Sequence, residues 1–266
     1  MGVLSLTTSK AKVYFVCLAA FLSVGIDEPV IAAEKIVTLT ADVWCPYNCD
    51  QSSRDQGFMV EAAREILKTQ GYTLKYVNQT WSRALADVRA GQRDAIVGAS
   101  QAEAEGLALV EEPLGENKNC FYTRIDDPYV YMPGGSLARR RIGVAAGYLY
   151  GEPLDQYIEK NRVNFNLVQL ATGDQPLLQN LRKLKAGRVD TVIENMLVMD
   201  FSLRKYLFDG VRLAGCDEPR PLYMAFSPKR ADAGRLKDLM SRGIRELKKT
   251  GRMREILARY GLTDWK

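Results

Sequence analysis

The chain has 266 residues, 47% of them apolar and 26% charged, an ordinary globular mix with a net charge of +5. It contains no histidine, which excludes Ser-His-Asp triads, Cys-His dyads, HExxH zinc sites and imidazole proton shuttles. No GxxxxGK[ST] loop, GxGxxG turn or GxSxG elbow is present, and a charge this mild does not call for a nucleic-acid partner.

Lys10 and Lys12 precede an uncharged run from Val13 to Ile26, shorter than the ~20 residues of a membrane span. A basic start, a short apolar run and then small residues predict a secretory signal over 1–33, cleaved near Ala32 or Ala33. An uncleaved anchor is the alternative. A lipoprotein through Cys17 is disfavoured because Tyr14-Phe15-Val16 is a poor lipobox. The mature chain is expected to be exported to the periplasm. It then keeps Cys45, Cys49, Cys120 and Cys216, an even number in an oxidising compartment, so two disulfides are expected. Three pairings are open. Cys45 and Cys49 could bridge within Cys-Pro-Tyr-Asn-Cys, leaving Cys120 with Cys216. A four-thiolate zinc site is the rival reading, but its two CxxC knuckles are missing.

The mature chain reads as strand–helix–strand–helix–strand, twice. Ile36 to Thr40 alternates as a strand, and Gly57 to Gln70 is a helix with Phe58, Met59, Ala62, Ala63, Ile66 and Leu67 on one face, ended by Gly71. Thr73 to Val77, a helix from Trp81 to Gly91, and Ala95 to Val97 follow. The second half predicts strands at Arg141–Ala145, Phe165–Leu170 and Val189–Ile193. They alternate with helices at Leu154–Lys160 and from an Asp174 cap to Gly187. Both halves carry Ala-Gly-x-x-Asp-x-apolar-apolar, at Ala90–Val97 and Ala186–Ile193, which supports two similar α/β lobes. Asp94 and Asp190 within it are read as structural caps. Proline-rich connectors run from Glu111 to Gly135 and from Leu213 to Phe226, and hold Cys120 and Cys216. Helices at Arg235–Lys249 and Arg252–Tyr260 close the chain.

Four stretches carry a resemblance: Ala41–Asn48 followed by Gly57–Val60; Trp81-Ser82-Arg83-Ala84-Leu85 leading to Gly91 and Asp94; Gly187–Asp190 leading to Glu194; and Gly251–Leu262. Their order resembles the extracellular solute-binding proteins of family 3, the polar-amino-acid type served by ABC importers. The resemblance implies a type II periplasmic-binding-protein-like fold, α/β, with two lobes joined by two crossing strands. Lobe 1 would hold 34–118 and 221–266, with the C-terminal helices returning to it, and lobe 2 would hold 119–220. It also implies a ligand in the cleft, a membrane permease as partner, a monomer without cofactor, metal or nucleic acid, and no enzymatic activity. The family's Thr-x-x-Arg, whose arginine grips an α-carboxylate, is replaced by Gly98–Gly106 without an arginine. Glu194 stands where the family places an acid for the α-amino group.

Ligands in open α/β sheets bind beyond the carboxyl ends of the strands, which points to Val43–Asn48, Gly98–Gln101, Ala146–Tyr150, Thr172–Gln175 and Glu194–Asn195. Helices starting near Ser100 and Asp174 would aim N–H groups there. The candidate ligand-binding residues are Trp44, Tyr47, Trp81, Arg83, Ser100, Tyr148, Tyr150 and Glu194. Each has a rival reading: Trp44 and Tyr47 as a lobe cover, Trp81 as core, Arg83 as solvated surface, Glu194 as the partner of an internal lysine. Asp87, Glu103 and Glu105 are read as solvated helix faces, and Arg139–Arg141, Lys248-Lys249 and Arg252/Arg254 as solvated surface. Asn78-Gln79-Thr80 matches a glycosylation sequon. The leading expectation is a periplasmic protein that captures an amino-acid-like solute, an amine or an organic acid. A sensor component and a dehydratase-like enzyme on the same fold are the alternatives.

Overall fold

The computed structural model describes residues 1–4, 34–135, 137 and 139–263. The chain divides between Ala33 and Glu34 into two units, and the architecture below is that of the second. The predicted export segment and its cleavage point lie almost wholly outside the described residues. Among the described residues no helix is long and apolar enough to cross a membrane.

The first half runs β1 (Lys35–Ala41), α1 (Phe58–Lys68), β2 (Tyr72–Asn78), α2 (Trp81–Ala90), β3 (Ala95–Ala99), β4 (Ala108–Leu109) and β5 (Gly115–Asn117). The chain then crosses to β6 (Asn119–Arg124), β7 (Ile142–Ala145), α3 (Leu154–Asn161), β8 (Val168–Ala171), α4 (Pro176–Lys185), β9 (Thr191–Asn195), α5 (Met196–Lys205) and β10 (Val211–Cys216). It returns through β11 (Arg220–Phe226) to α6 (Ala233–Lys249) and α7 (Arg252–Ala258).

Two sheets result, in the orders β2-β1-β3-β11-β4, with β5 also on β11, and β10-β6-β9-β7-β8. In each, a three-strand parallel core places the first strand in the middle. An antiparallel strand from the crossing segments then adds to the third strand: β11 on β3 and β6 on β9. Val37, Leu39 and Ala41 alternate inward from β1 and are fully buried, as period-2 patterning requires. The face of α1 packs with Leu236, Met240 and Ile244 of α6 and Ile256 and Leu257 of α7 in one core. The C-terminal helices therefore pack on the first helix of the chain's first half. A side chain at Gly243 would collide with Ile66, so glycine there sets how closely α6 approaches α1.

The repeated aspartates lock equivalent strand ends. Asp94 accepts the Thr38 N–H and hydroxyl, both at 2.7 Å, and pairs with Arg230 at 2.7 Å. Asp190 accepts the Arg141 N–H at 3.0 Å and its guanidinium at 2.6 Å. Both bind the start of the third strand of a lobe to its first strand, the structural role expected of them.

Several boundaries differ from expectation. The strand predicted over Phe165–Leu170 is Val168–Ala171, because Leu167 and Val168 turn back on the Asn164 carbonyl and leave Phe165 exposed. No helix starts at Ser100, whose N–H and hydroxyl are both taken by Glu103. The helix expected at Asp174 begins at Pro176, a residue suited to the first turn because it lacks an N–H. Helix α5 was not anticipated; the Asn195 side chain caps it by accepting from Leu197 and Val198. Asp87 and Glu103, expected to be solvated, are buried.

Cys45 pairs with Cys49, and Cys120 with Cys216 across directly opposed positions of β6 and β10. The second bridge ties together the two segments that pass between the sheets. Its cysteines stand 96 positions apart in the chain, and replacing both by serine is expected to cost about 3–5 kcal/mol. A loss of unfolding free energy below about 1 kcal/mol in denaturant titration would show that the bridge does not constrain the chain.

Candidate functional site

The strand ends predicted to carry the site meet between the sheets. Asp42 follows β1, Gly98–Ser100 end β3, Ala146–Tyr148 follow β7, and Glu194–Asn195 end β9. The Cys45–Cys49 bridge closes a tight loop in which the Trp44 N–H donates to the Asn48 carbonyl at 2.7 Å. The Asn48 amide group donates to the Asp42 carbonyl at 2.8 Å. Trp44 stacks on Tyr47 with centroids 4.5 Å apart, and Tyr47 leans on Phe58 at 4.9 Å.

Two cavities open in the cleft, of about 500 and 450 Å³, and share Asp42, Trp81 and Tyr148. The larger adds Trp44, Asn48, Ser100 and Glu103 from one side and Leu149, Asp155 and Arg220 from the other. The smaller adds Asp50, Gln79 and Ser82 opposite Gly173 and Asp174. Hydrogen bonds between the two sides close the cleft around them. Trp44 Nε1 donates to Glu194 Oε1 at 2.9 Å, Asn195 Nδ2 to the Tyr47 hydroxyl at 3.1 Å, and the Tyr148 hydroxyl to Asp42 Oδ2.

The sequence-derived candidates divide. Trp44, Trp81, Ser100 and Tyr148 line the larger cavity, and Trp81 and Tyr148 the smaller as well. Tyr47, Arg83, Tyr150 and Glu194 line neither. Tyr47 backs the Trp44 ring and donates to the Glu116 carbonyl. Tyr150 is buried in the second sheet's core, its oxygen accepting the Ala145 N–H at 2.7 Å. Arg83 holds Asp87 at 2.7 Å on a side chain that is 64% exposed. Glu194 is sealed beneath Trp44 and also accepts the Asn195 N–H at 2.8 Å. Asp42, Asn48, Glu103 and Arg220 line the larger cavity without having been singled out. Asn48 lay within the strand-end segment pointed to by the fold, and Asp42 was the first charge after the alternating run of β1. The basic clusters are largely spoken for: Arg140 pairs with Asp127, Arg141 with Asp190 and Arg252 with Glu65.

Burial dominates the electrostatics. It raises the Glu194 carboxyl to about 7, against the Trp44 and Asn195 N–H groups that favour its ionised form. Burial likewise raises Asp42 to about 6, with the Tyr148 hydroxyl working the other way. The Asp42 charge raises Glu194 further, and the Glu103 charge raises Asp42 further. The described ion pairs involve neither.

With this geometry in view, the comparisons are informative. The profile of the bacterial extracellular solute-binding proteins, family 3, matches residues 36–263. The chain belongs to that family. A comparison with curated proteins returns no match. Among solved structures the chain is similar to a histidine kinase sensor domain with similarity to periplasmic binding proteins, at 21% identity over 85% of this chain and 95% of that one, TM-score 0.66. It is similar to an ancestral arginine-binding protein bound to glutamine, at 17% identity over 86% and 99%, TM-score 0.69. A third likeness is to a structure from work on glutathione import through a cystine ABC importer of Streptococcus mutans, at 18% identity over 85% and 95%, TM-score 0.70. At these identities the likeness is one of fold: the two-lobed type II arrangement expected from the sequence. The family's extracellular setting agrees with an exported chain.

Two measurements follow. The folded form holds a proton on Glu194 between about pH 4.5 and 7 that the unfolded chain has released, so stability falls as pH rises through that window. Glu194→Gln keeps an acceptor for Trp44 and Asn195 without the charge. It is expected to melt higher than the unaltered protein near pH 8, by up to roughly 3 kcal/mol, and to match it near pH 5. Parallel pH profiles would show that Glu194 is not held up. Separately, Gly147 has φ +82° and any Cβ there would run into Ser82 Oγ of the opposite lobe. Once the Ser82 hydroxyl turns aside, Gly147→Ala should still lower Tm through strain at this φ; an unchanged Tm would show that the turn tolerates a side chain.

Proposed function

We propose that this protein is exported to the periplasm and captures a small polar solute in the cleft between its lobes, for delivery to the membrane permease of an ABC importer. The observation that carries the reading is the shared wall of the two cavities. Asp42, Trp81 and Tyr148 join polar and aromatic side chains from both lobes around spaces of about 450–500 Å³, the size and mixed lining of small-molecule sites. Closure would be a hinge about the crossing segments at Lys118 and at Asp217–Pro219. The lobe boundaries would then fall at 118/119 and 220/221. Trp44, Trp81, Ser100 and Tyr148 would touch the solute directly. Tyr47, Tyr150 and Glu194 would shape and brace the closed cleft from behind.

The same cleft would serve a sensing role, and a histidine kinase sensor domain shares the fold. Co-purification with a permease supports transport, whereas co-purification with a receptor kinase would replace that half of the reading.

The binding half is tested with mature protein refolded to strip carried-over ligand and melted against amino acids, amines, organic acids and sugars. A true ligand at about 100 times its Kd adds roughly 2.7 kcal/mol, several degrees in Tm for a protein of this size. Scattering should show contraction with the same compound. A flat response across every class would overturn the solute-binding reading.

A further inference from the structure

We propose that the larger cavity receives the primary ammonium group of a small organic amine that carries no carboxylate, held by Asp42 and Asn48 and enclosed by Trp44, Trp81 and Tyr148. This rests on the cleft being the solute site and names the chemistry of its occupant.

The argument starts from an orphan. Asn48 is 1% exposed and lines this cavity, and its Oδ1 has no hydrogen-bond partner. Its Nδ2 is spent on the Asp42 carbonyl at 2.8 Å and the Asp42 carboxylate at 3.3 Å. The amide is therefore oriented, with its oxygen left over. A buried acceptor without a donor is costly, so the site is completed by something that brings an N–H or O–H. Gly98, at φ +89°, lies against that oxygen: a Cβ there would sit 3.3 Å from it and crowd any donor that reached it.

The neighbours select the charge of the visitor. Asp42 borders the same cavity, and the ion pairs among the described residues leave it out. Several donors on the wall are already committed to protein carboxylates: Trp81 Nε1 to Glu103 at 2.8 Å, the Ser100 hydroxyl to Glu103 at 2.6 Å, and the Tyr148 hydroxyl to Asp42. The charged wall residues are Asp42, Glu103, Glu152 and Asp155 against Arg220, whose guanidinium donates to the Tyr150 carbonyl. A carboxylate entering here would meet like charges, and its usual arginine is missing from the Gly98–Gly106 run. A primary ammonium offers three N–H donors to Asp42 and Asn48 Oδ1, and aromatic faces attract a cation. A trimethylated ammonium would satisfy the rings but donate nothing to Asn48.

The test uses matched pairs on the refolded mature protein, by calorimetry or tryptophan fluorescence. Putrescine, cadaverine, agmatine and tyramine are each compared with the parent amino acid ornithine, lysine, arginine or tyrosine, and with a trimethylated amine and succinate. The expected result is that at least one amine binds at least about tenfold more tightly than its parent and its trimethylated form. Asp42→Asn should weaken that amine by about 10–100-fold, and Asn48→Ala by about tenfold. If either variant fails to fold, the pairs measured on the unaltered protein decide. Parent amino acids, succinate or the trimethylated amine binding as well as the amines would overturn this proposal and leave solute binding standing. So would a sugar as the only hit of the wider panel. Silence of the matched pairs and of the wider panel together would overturn both.

Discussion

The structure turns on two carboxylates set where the lobes meet, Glu194 buried and Asp42 half-buried. Asp42 and Glu194 lie on opposite lobes, and each is held by a donor from the other lobe: Asp42 by the Tyr148 hydroxyl, Glu194 by the Trp44 indole. Removing a carboxylate from water without a cationic partner is expensive. Both groups respond by moving upward in pKa. The closed cleft is thus stabilised by neutral hydrogen bonds at low pH and strained by charge at higher pH. Whatever occupies the cleft acts on that balance, and a cation relieves it where an anion aggravates it.

The rest of the fold serves to bring those two positions together. Each lobe is the same small machine: a parallel three-strand core with its first strand central, locked by an aspartate ahead of the third strand, Asp94 in one and Asp190 in the other. Adding β11 to one core and β6 to the other aims the carboxyl ends of both cores at the same gap. The Cys120–Cys216 bridge then pins the crossing segments side by side. On the proposed reading the hinge would be a paired unit rather than two independent strands, and motion would be channelled into opening and closing.

The aromatic side chains are divided between support and contact. Tyr47, Phe58 and Tyr260 form a column behind Trp44, and the bridged Cys45–Cys49 loop fixes where Trp44 stands. Trp81 is held by Glu103, which also occupies Ser100. Rings fixed in this way lose little freedom when a ligand arrives, which favours binding.

Most of the fold was legible in local pattern: the alternation of β1, the apolar face of α1, the glycine stop after α2 and the repeated Ala-Gly-x-x-Asp. These are properties of neighbours in the chain, governed by strand and helix periodicity. The expectation of export came from the basic start and short apolar run, and that of two disulfides from the even cysteine count behind it. The site was only half legible. Trp44, Trp81, Ser100 and Tyr148 line the cavity, but so do Asp42, Asn48 and Glu103, which one-dimensional pattern places on turns and solvated faces. Glu103 is buried because Trp81, on a different element, reaches its carboxylate, and Asn48 Oδ1 is stranded because its own amide nitrogen turns to Asp42. The sequence alone determined the two-lobed α/β architecture and which strand ends would face the cleft. Burial, charge and the orphaned acceptor were decided by tertiary structure: Glu194 meets Trp44 across the cleft, 150 positions away, while Glu103 and Asn48 find Trp81 and Asp42 on other elements of the first lobe, pairings that no local period reveals.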